Sequence, residues 1–176
     1  MKEIKRDLFE CIYDADIKAI CITSNGQYRP DGRAVMGGGC AKTAVDKWPQ
    51  IAIRLGKCLK NFGSNVPFVI GAVDREGKYI EPTMKIIKEF KYKCLIFSFP
   101  TIDKLVDGAN IELIKRSAEE MKLFADRFQL MGIASVRFGS GIGGLNWYRD
   151  VKPVVKNILD DRFIICCQEN DELEIA

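Results

Sequence analysis

The chain has 176 residues, 47% of them apolar and 29% charged, which suits one compact domain, residues 1–176, with a hydrophobic core and leaves little for a second. The formal charge of +3 is spread without a dense Lys/Arg block, so no general nucleic-acid footprint is expected. Histidine is absent, which excludes triads with an imidazole base, histidine metal sites and imidazole acid–base catalysis.

The opening MKEIKRDLFE breaks its apolar residues with charges, and no later run approaches membrane-spanning length. A cytoplasmic protein with no membrane partner is expected, and a monomer. Cys11, Cys21, Cys40, Cys58, Cys94, Cys166 and Cys167 form an odd set without a C-x-x-C pair, as reduced structural thiols do. Cys166 and Cys167, adjacent on a predicted strand, would face opposite sides and not share a metal. Neither a metal nor a cofactor is expected.

In chain order, a short strand is predicted from about Glu3 to Phe9. The segment IKAICIT, Ile17 to Thr23, reads as a buried strand ending in the turn signal Ser24-Asn25-Gly26, because it is nearly all apolar and rich in β-branched residues. After a polar, glycine-rich passage, Ala41, Ala44, Val45 and Trp48 recur at helical spacing directly behind three glycines. Pro49 opens a second helix with Ile51, Leu55, Cys58, Leu59 and Phe62 on its apolar face and Gly63 as C-terminal cap.

Strands are predicted at Pro67 to Val73, with a hairpin partner near Lys78 to Ile80, and at Cys94 to Phe99, where Pro100 is expected to end the strand. The charged stretch Lys85 to Lys93 between them suits a short helix or a loop. A long amphipathic helix follows from about Asn110 to Phe128, its Ile111, Ile114, Ala118, Met121, Phe124, Ala125 and Phe128 on one face. Then come a strand at Ile133 to Phe138, a helix at Tyr148 to Leu159, a strand at Phe163 to Cys167 and an acidic, frayed tail from 168 to 176. Strands alternating with helices predict a three-layer α/β/α sandwich with a mixed, mostly parallel central sheet.

In such sheets ligands bind beyond the carboxyl ends of the strands, where three loops converge: Ser24 to Gly39, Pro100 to Ala109, and Gly139 to Asn146. Gly37, Gly38 and Gly39 precede a helix, so bare amides and the positive helix end can hold a phosphate. The stretch lacks the spacing of a P-loop. The run GSGIGG, Gly139 to Gly144, spells a dinucleotide fingerprint, yet one helix and one strand follow it and no acidic residue ends that strand. A hydride-transferring dinucleotide enzyme is therefore disfavoured, and a second phosphate-facing loop fits better.

With these residues on the page, the chain resembles the macro domains. ADIKAICITSNG is similar to that family's strand ending in an Asn at the distal ribose, MGGGCA to its first phosphate loop and GSGIGGLNW to its second. The resemblance implies that Asp7 accepts from the adenine amino group with the Leu8 amide beside it, that Asn25 meets the distal ribose, and that Thr101 is also a ligand-binding residue. It further implies that Gly37, Gly38, Gly39 and Cys40 face one side of a diphosphate. Ser140, Gly141, Ile142, Gly143, Gly144 and Leu145 face the other, with Trp147 at the loop's end. The ending GLNW is most similar to the branch with glutamate-linked ADP-ribosyl hydrolases and antitoxins that unmodify DNA. Two departures stand out: Ile102 follows Phe99-Pro100-Thr101 where that branch commonly has Lys, with Lys104 two places on, and Gly143 replaces an Asp that some members carry.

The implied function is binding of ADP-ribose or an ADP-ribosylated substrate, with hydrolysis of an ADP-ribosyl linkage or of ADP-ribose 1''-phosphate. Asn25 would position water, and Asp31 or Asp103 would act as base. The alternative is a non-catalytic reader or sequestering module for ADP-ribose or a cyclic derivative.

Overall fold

A computed structural model describes residues 1–167, so the expected frayed tail, 168–176, lies outside the described residues. Seven strands form one sheet: β1 (Lys2–Lys5), β2 (Ala19–Asn25), β3 (Val69–Val73), β4 (Tyr79–Ile80), β5 (Cys94–Ile102), β6 (Ile133–Val136) and β7 (Phe163–Cys167). Their order is β1-β7-β6-β2-β5-β3-β4. The first five run parallel, while β3 and β4 are antiparallel additions at one edge.

Helices cover both faces, as buried parallel strands require. On one side α1 (Gly39–Lys47), α2 (Gln50–Phe62) and the 3₁₀ turn Cys11–Tyr13 pack on a core that includes Ile20, Ile22, Trp48, Ile51, Leu55, Ile70 and Ile96. On the other, α3 (Met84–Lys88), α4 (Ile111–Arg127) and α5 (Lys152–Val155) enclose Phe97, Phe99, Ile114, Met121, Phe138, Trp147 and Phe163. Alternate residues of each strand feed opposite cores, so nearly all of β2 and β5 is buried.

Helix ends follow from local chemistry. Asn110 caps α4 by accepting from the amides of Glu112 and Leu113 at 2.9 and 3.1 Å, and Gly63 closes α2 in the left-handed conformation at φ 61°.

Four boundaries depart from expectation. The first strand ends at Lys5 and not near Phe9, because Asp7 Oδ1 accepts from the Phe9 amide at 2.7 Å and turns the chain. Pro100 does not end β5, which continues to Ile102 with Pro100 in register with Ser24. The β3 pairing has already stopped at Phe97, so one side of β5 has no partner strand at Pro100 and the missing N–H costs no ladder bond there. The β6 strand ends at Val136 and not Phe138. The helix expected from Tyr148 to Leu159 is a π-helical turn, Trp147–Val151, followed by the short α5. Pro153 cannot donate to the carbonyl four residues back, and the ladder is interrupted there.

Candidate ligand-binding cleft

Because β1, β7, β6, β2 and β5 are parallel, their carboxyl ends share one edge, and the loops leaving them surround a cleft of about 1060 Å³. That is at the upper end for small-molecule sites, roughly 300–1,000 Å³.

The first loop lies between β2 and α1. Asn25, only 8% exposed, donates from Nδ2 to the Val35 carbonyl at 2.7 Å and accepts the Gln27 amide on Oδ1 at 2.9 Å. One side chain thus ties both ends of the loop to the tip of β2. The Ala34 amide bonds the Ala52 carbonyl of α2 at 2.8 Å, and Gly56 permits that approach: a Cβ there would lie 2.0 Å from the Gly32 carbonyl oxygen. Gly56→Ala is expected to destabilise the fold by about 1–3 kcal/mol on thermal unfolding. An unchanged Tm would show that α2 can retreat freely from the loop.

At the loop's end, the first α1 bond runs from the Lys42 amide to the Gly38 carbonyl at 3.2 Å. The amides of Gly39, Cys40 and Ala41 therefore have no intrahelical acceptor and face the cleft with the positive helix end. Thr23 Oγ1 and Cys40 Sγ, 3.1 Å apart, fasten this turn to β2, and burial pushes the Cys40 thiol pKa up.

The second loop leaves β6 and makes the 3₁₀ turn Gly141–Gly143. Gly139, Gly141 and Gly144 take φ of 67°, 72° and 80°, a region side chains resist. Ile142 reaches across so far that a Cβ on Gly38 would lie 2.4 Å from its Cδ1, so the two glycine loops meet over the cleft. Gly143 is also held by packing, since its Cβ would meet Ala109 Cβ at 2.7 Å. A carboxylate at that position has no room without moving the β5–α4 connection.

Of the residues singled out in the sequence, Asp7, Leu8, Asn25, Gly37, Gly38, Gly39, Cys40, Thr101, Ser140, Gly141, Ile142, Gly143, Leu145 and Trp147 line this one cleft. Gly144 is not among the lining residues; its amide closes the turn on Gly141 at 3.0 Å. Asp31 and Asp103 also fall outside the lining. Asp31 accepts from the Arg33 amide at 3.0 Å within its own exposed turn, and Asp103 meets Asn65 Nδ2 at 3.3 Å behind Gly26. Neither is placed to act as a base inside the cleft.

Residues that sequence reasoning missed also line it, notably Arg6, Phe9, Arg137 and Tyr148. Arg137 belongs to a network centred on Glu3, whose side chain is 11% exposed. Glu3 Oε2 accepts from Arg137 Nη2 at 3.1 Å and Trp147 Nε1 at 3.2 Å, while Oε1 pairs with Lys152 Nζ at 2.7 Å. Arg137 also donates to the Tyr148 hydroxyl at 2.7 Å, and both cations lie about 5 Å from that ring. Burial acts to raise the Glu3 pKa, but hydrogen bonds from Lys152, Trp147 and Arg137 outweigh it and hold the carboxyl below its ordinary value. These partners come from β1, the residue just after β6, the π-helical turn and α5, so no local motif announces them.

Among the described residues, no group of three or more potential metal-ligating side chains comes together, and no helix is long and apolar enough to cross a membrane. All seven cysteines are free thiols.

No protein-family model matches the chain, and no curated protein matches it in sequence. Solved structures do match in shape. The Thermosipho africanus DarTG structure, in complex with ADP-ribose, superposes with a TM-score of 0.71 at 17% identity over 97% of this chain. This chain spans only 42% of that longer one. The macrodomain of Mycobacterium tuberculosis DarG gives 0.65 at 22% identity, covering 94% of this chain and 95% of that one. The macrodomain of Thermus aquaticus DarG gives 0.67 at 21%, covering 96% and 97%. At such identities the likeness carries the architecture, and this chain has the fold of these macrodomains.

Proposed function

We propose that the cleft binds ADP-ribose or an ADP-ribosyl group on a larger substrate. The observation that carries this is the order of groups along the sheet edge. Asp7 stands beyond β1, the two glycine loops beyond β6 and β2, and Thr101 at the end of β5, across four strand spacings. At about 4.8 Å each this is roughly 19 Å, the span of an extended nucleotide sugar and more than a single ring needs. In this reading Asp7 and the Leu8 amide take the adenine edge, the α1 amides and the second loop hold the diphosphate, and Asn25 and Thr101 meet the distal ribose. The ADP-ribose held by the Thermosipho africanus relative supports the assignment.

Binding without a side-chain base is the favoured form. Among the described residues Asp7 is the one carboxylate lining the cleft, and two strands separate β1 from the β2 end that carries Asn25. The hydrolytic reading has one observation behind it: after its two loop bonds, Asn25 keeps one amide hydrogen and one oxygen lone pair, enough to orient a water. The two are separated by incubating the protein with ADP-ribosylated protein, ADP-ribosylated DNA and ADP-ribose 1''-phosphate at concentrations where binding is measured. Release no faster than in buffer supports the reader, and catalysed release the hydrolase. Free thiols throughout fit a reducing, cytoplasmic setting, and the domain is proposed to act as a monomer.

The binding test is calorimetric titration with ADP-ribose of the wild type and Asp7→Ala. The substitution is expected to weaken binding by about 1.5–3 kcal/mol, as for a hydrogen bond to a charged group. No binding by folded wild type would overturn the ligand assignment and leave the fold intact.

A further inference from the structure

We infer that Cys11 and Cys166 are a modification site, a thiol pair that a small peroxide converts to a disulfide directly beneath the Asp7 turn. Cys11 begins the 3₁₀ turn after β1 and Cys166 lies in β7, 155 residues later, yet their sulfurs are 3.5 Å apart. Both residues are buried, and this is the one sulfur–sulfur hydrogen bond among the described residues. A disulfide needs about 2.0 Å, so bond formation draws the two sulfurs together from their 3.5 Å separation. Cys166 lines the cleft, which gives a water-sized oxidant its approach.

The other thiols are less suited. Burial raises the pKa of Cys21, Cys40, Cys58 and Cys94, and Cys167 donates to the Ile4 carbonyl at 3.2 Å. At Cys11 the hydrogen bond from Cys166 lowers the pKa against the opposing burial, with Arg6 helping and Asp14 and Asp7 opposing. The thiolate is the nucleophile in such chemistry. Its sulfur attacks one peroxide oxygen, the O–O bond breaks, and the departing hydroxide takes a proton to become water. The second thiol then attacks the resulting sulfenic sulfur; the S–S bond forms, the S–O bond breaks and a second water leaves. The two thiols are oxidised to one disulfide, and hydrogen peroxide is reduced to water.

The site is coupled to the cleft through the same turn. Cys11 Sγ donates to the Asp7 carbonyl at 3.6 Å and its amide bonds the Leu8 carbonyl at 3.2 Å. Oxidation removes the first of these and draws the turn toward β7. This consequence rests on the ADP-ribose reading, whereas the thiol assignment does not.

The test treats the protein with hydrogen peroxide, quenches, unfolds it and alkylates. The expected result is two fewer alkylated cysteines, a Cys11–Cys166 cross-linked peptide, and full recovery with dithiothreitol; Cys11→Ala and Cys166→Ala form no such cross-link. All seven thiols remaining alkylatable in the wild type, or a cross-link mapping elsewhere, overturns the assignment. Calorimetry on the same samples is expected to show ADP-ribose affinity about 5-fold or more weaker after oxidation, with no such change on treating Cys11→Ala. Equal affinities with the cross-link in place overturn the coupling. Failure of the reduced wild type to bind ADP-ribose instead sinks the ligand reading, while the cross-link still judges the pair.

Discussion

Glu3→Ala is expected to cost about 3–5 kcal/mol of folding free energy, the loss typical when one partner of a buried ion network is removed. Three donors converge on this one carboxylate, from Arg137, Trp147 and Lys152. Deleting it removes the carboxylate that Arg137 and Lys152, both stacked near the Tyr148 ring, share. Because Arg137, Trp147 and Tyr148 also line the cleft, the second loop should loosen as well. Urea unfolding of the wild type and the variant measures the effect, and a difference under about 1 kcal/mol would show that the network contributes little more than an exposed pair.

The same carboxylate predicts a pH dependence. Its folded pKa is depressed, so its contribution is fully present above the unfolded glutamate value of about 4.3 and is lost as pH falls through the lower folded value. The stability gap between wild type and Glu3→Gln should therefore be constant near neutrality and shrink in acid below that pH. A gap that widens on acidification would contradict the assignment.

Asn25→Ala is expected to weaken ADP-ribose binding roughly 100-fold, or about 2.7 kcal/mol, and to lower stability too. The side chain makes part-buried bonds to the Val35 carbonyl and the Gln27 amide, and each such bond lost costs about 0.5–1.5 kcal/mol. Without it the first loop loses its tie to β2, and the α1 amides lose their alignment with the second loop. Calorimetry and thermal unfolding together read the result. Binding within about threefold of wild type would mean that the Ala34–Ala52 and Val35–Gln27 backbone bonds hold the loop unaided.

The long periodic segments were legible because local pattern and tertiary need coincide in them. The α4 stripe of Ile114, Ala118, Met121 and Ala125 is fully buried, as helical spacing requires, and Pro49 and Gly63 mark α2 as helix-end residues should. Where an element's limit depends on a neighbour, pattern alone misled. Pro100 reads as a strand breaker, yet whether it breaks β5 turns on where β3 ends, which is a matter of register. Asp7 reads as one more surface charge or as the end of a strand, and its Asx turn is what brings it to the cleft.

Read alone, the residues were enough to give the layered α/β architecture and the three loops that border the cleft, since hydrophobic period, glycine placement and helix starts are local properties. They also excluded imidazole chemistry outright, because no fold can supply a residue the chain lacks. Which polar residues border the cleft became visible once the chain was folded. Asp31 bonds within its own turn and Asp103 pairs with Asn65, while Glu3, Arg137, Tyr148 and Lys152 meet from ends of the chain more than 130 residues apart. Such contacts are set by strand order, in which β1 lies beside β7 and β7 beside β6, and strand order follows from how the whole sheet buries both its faces.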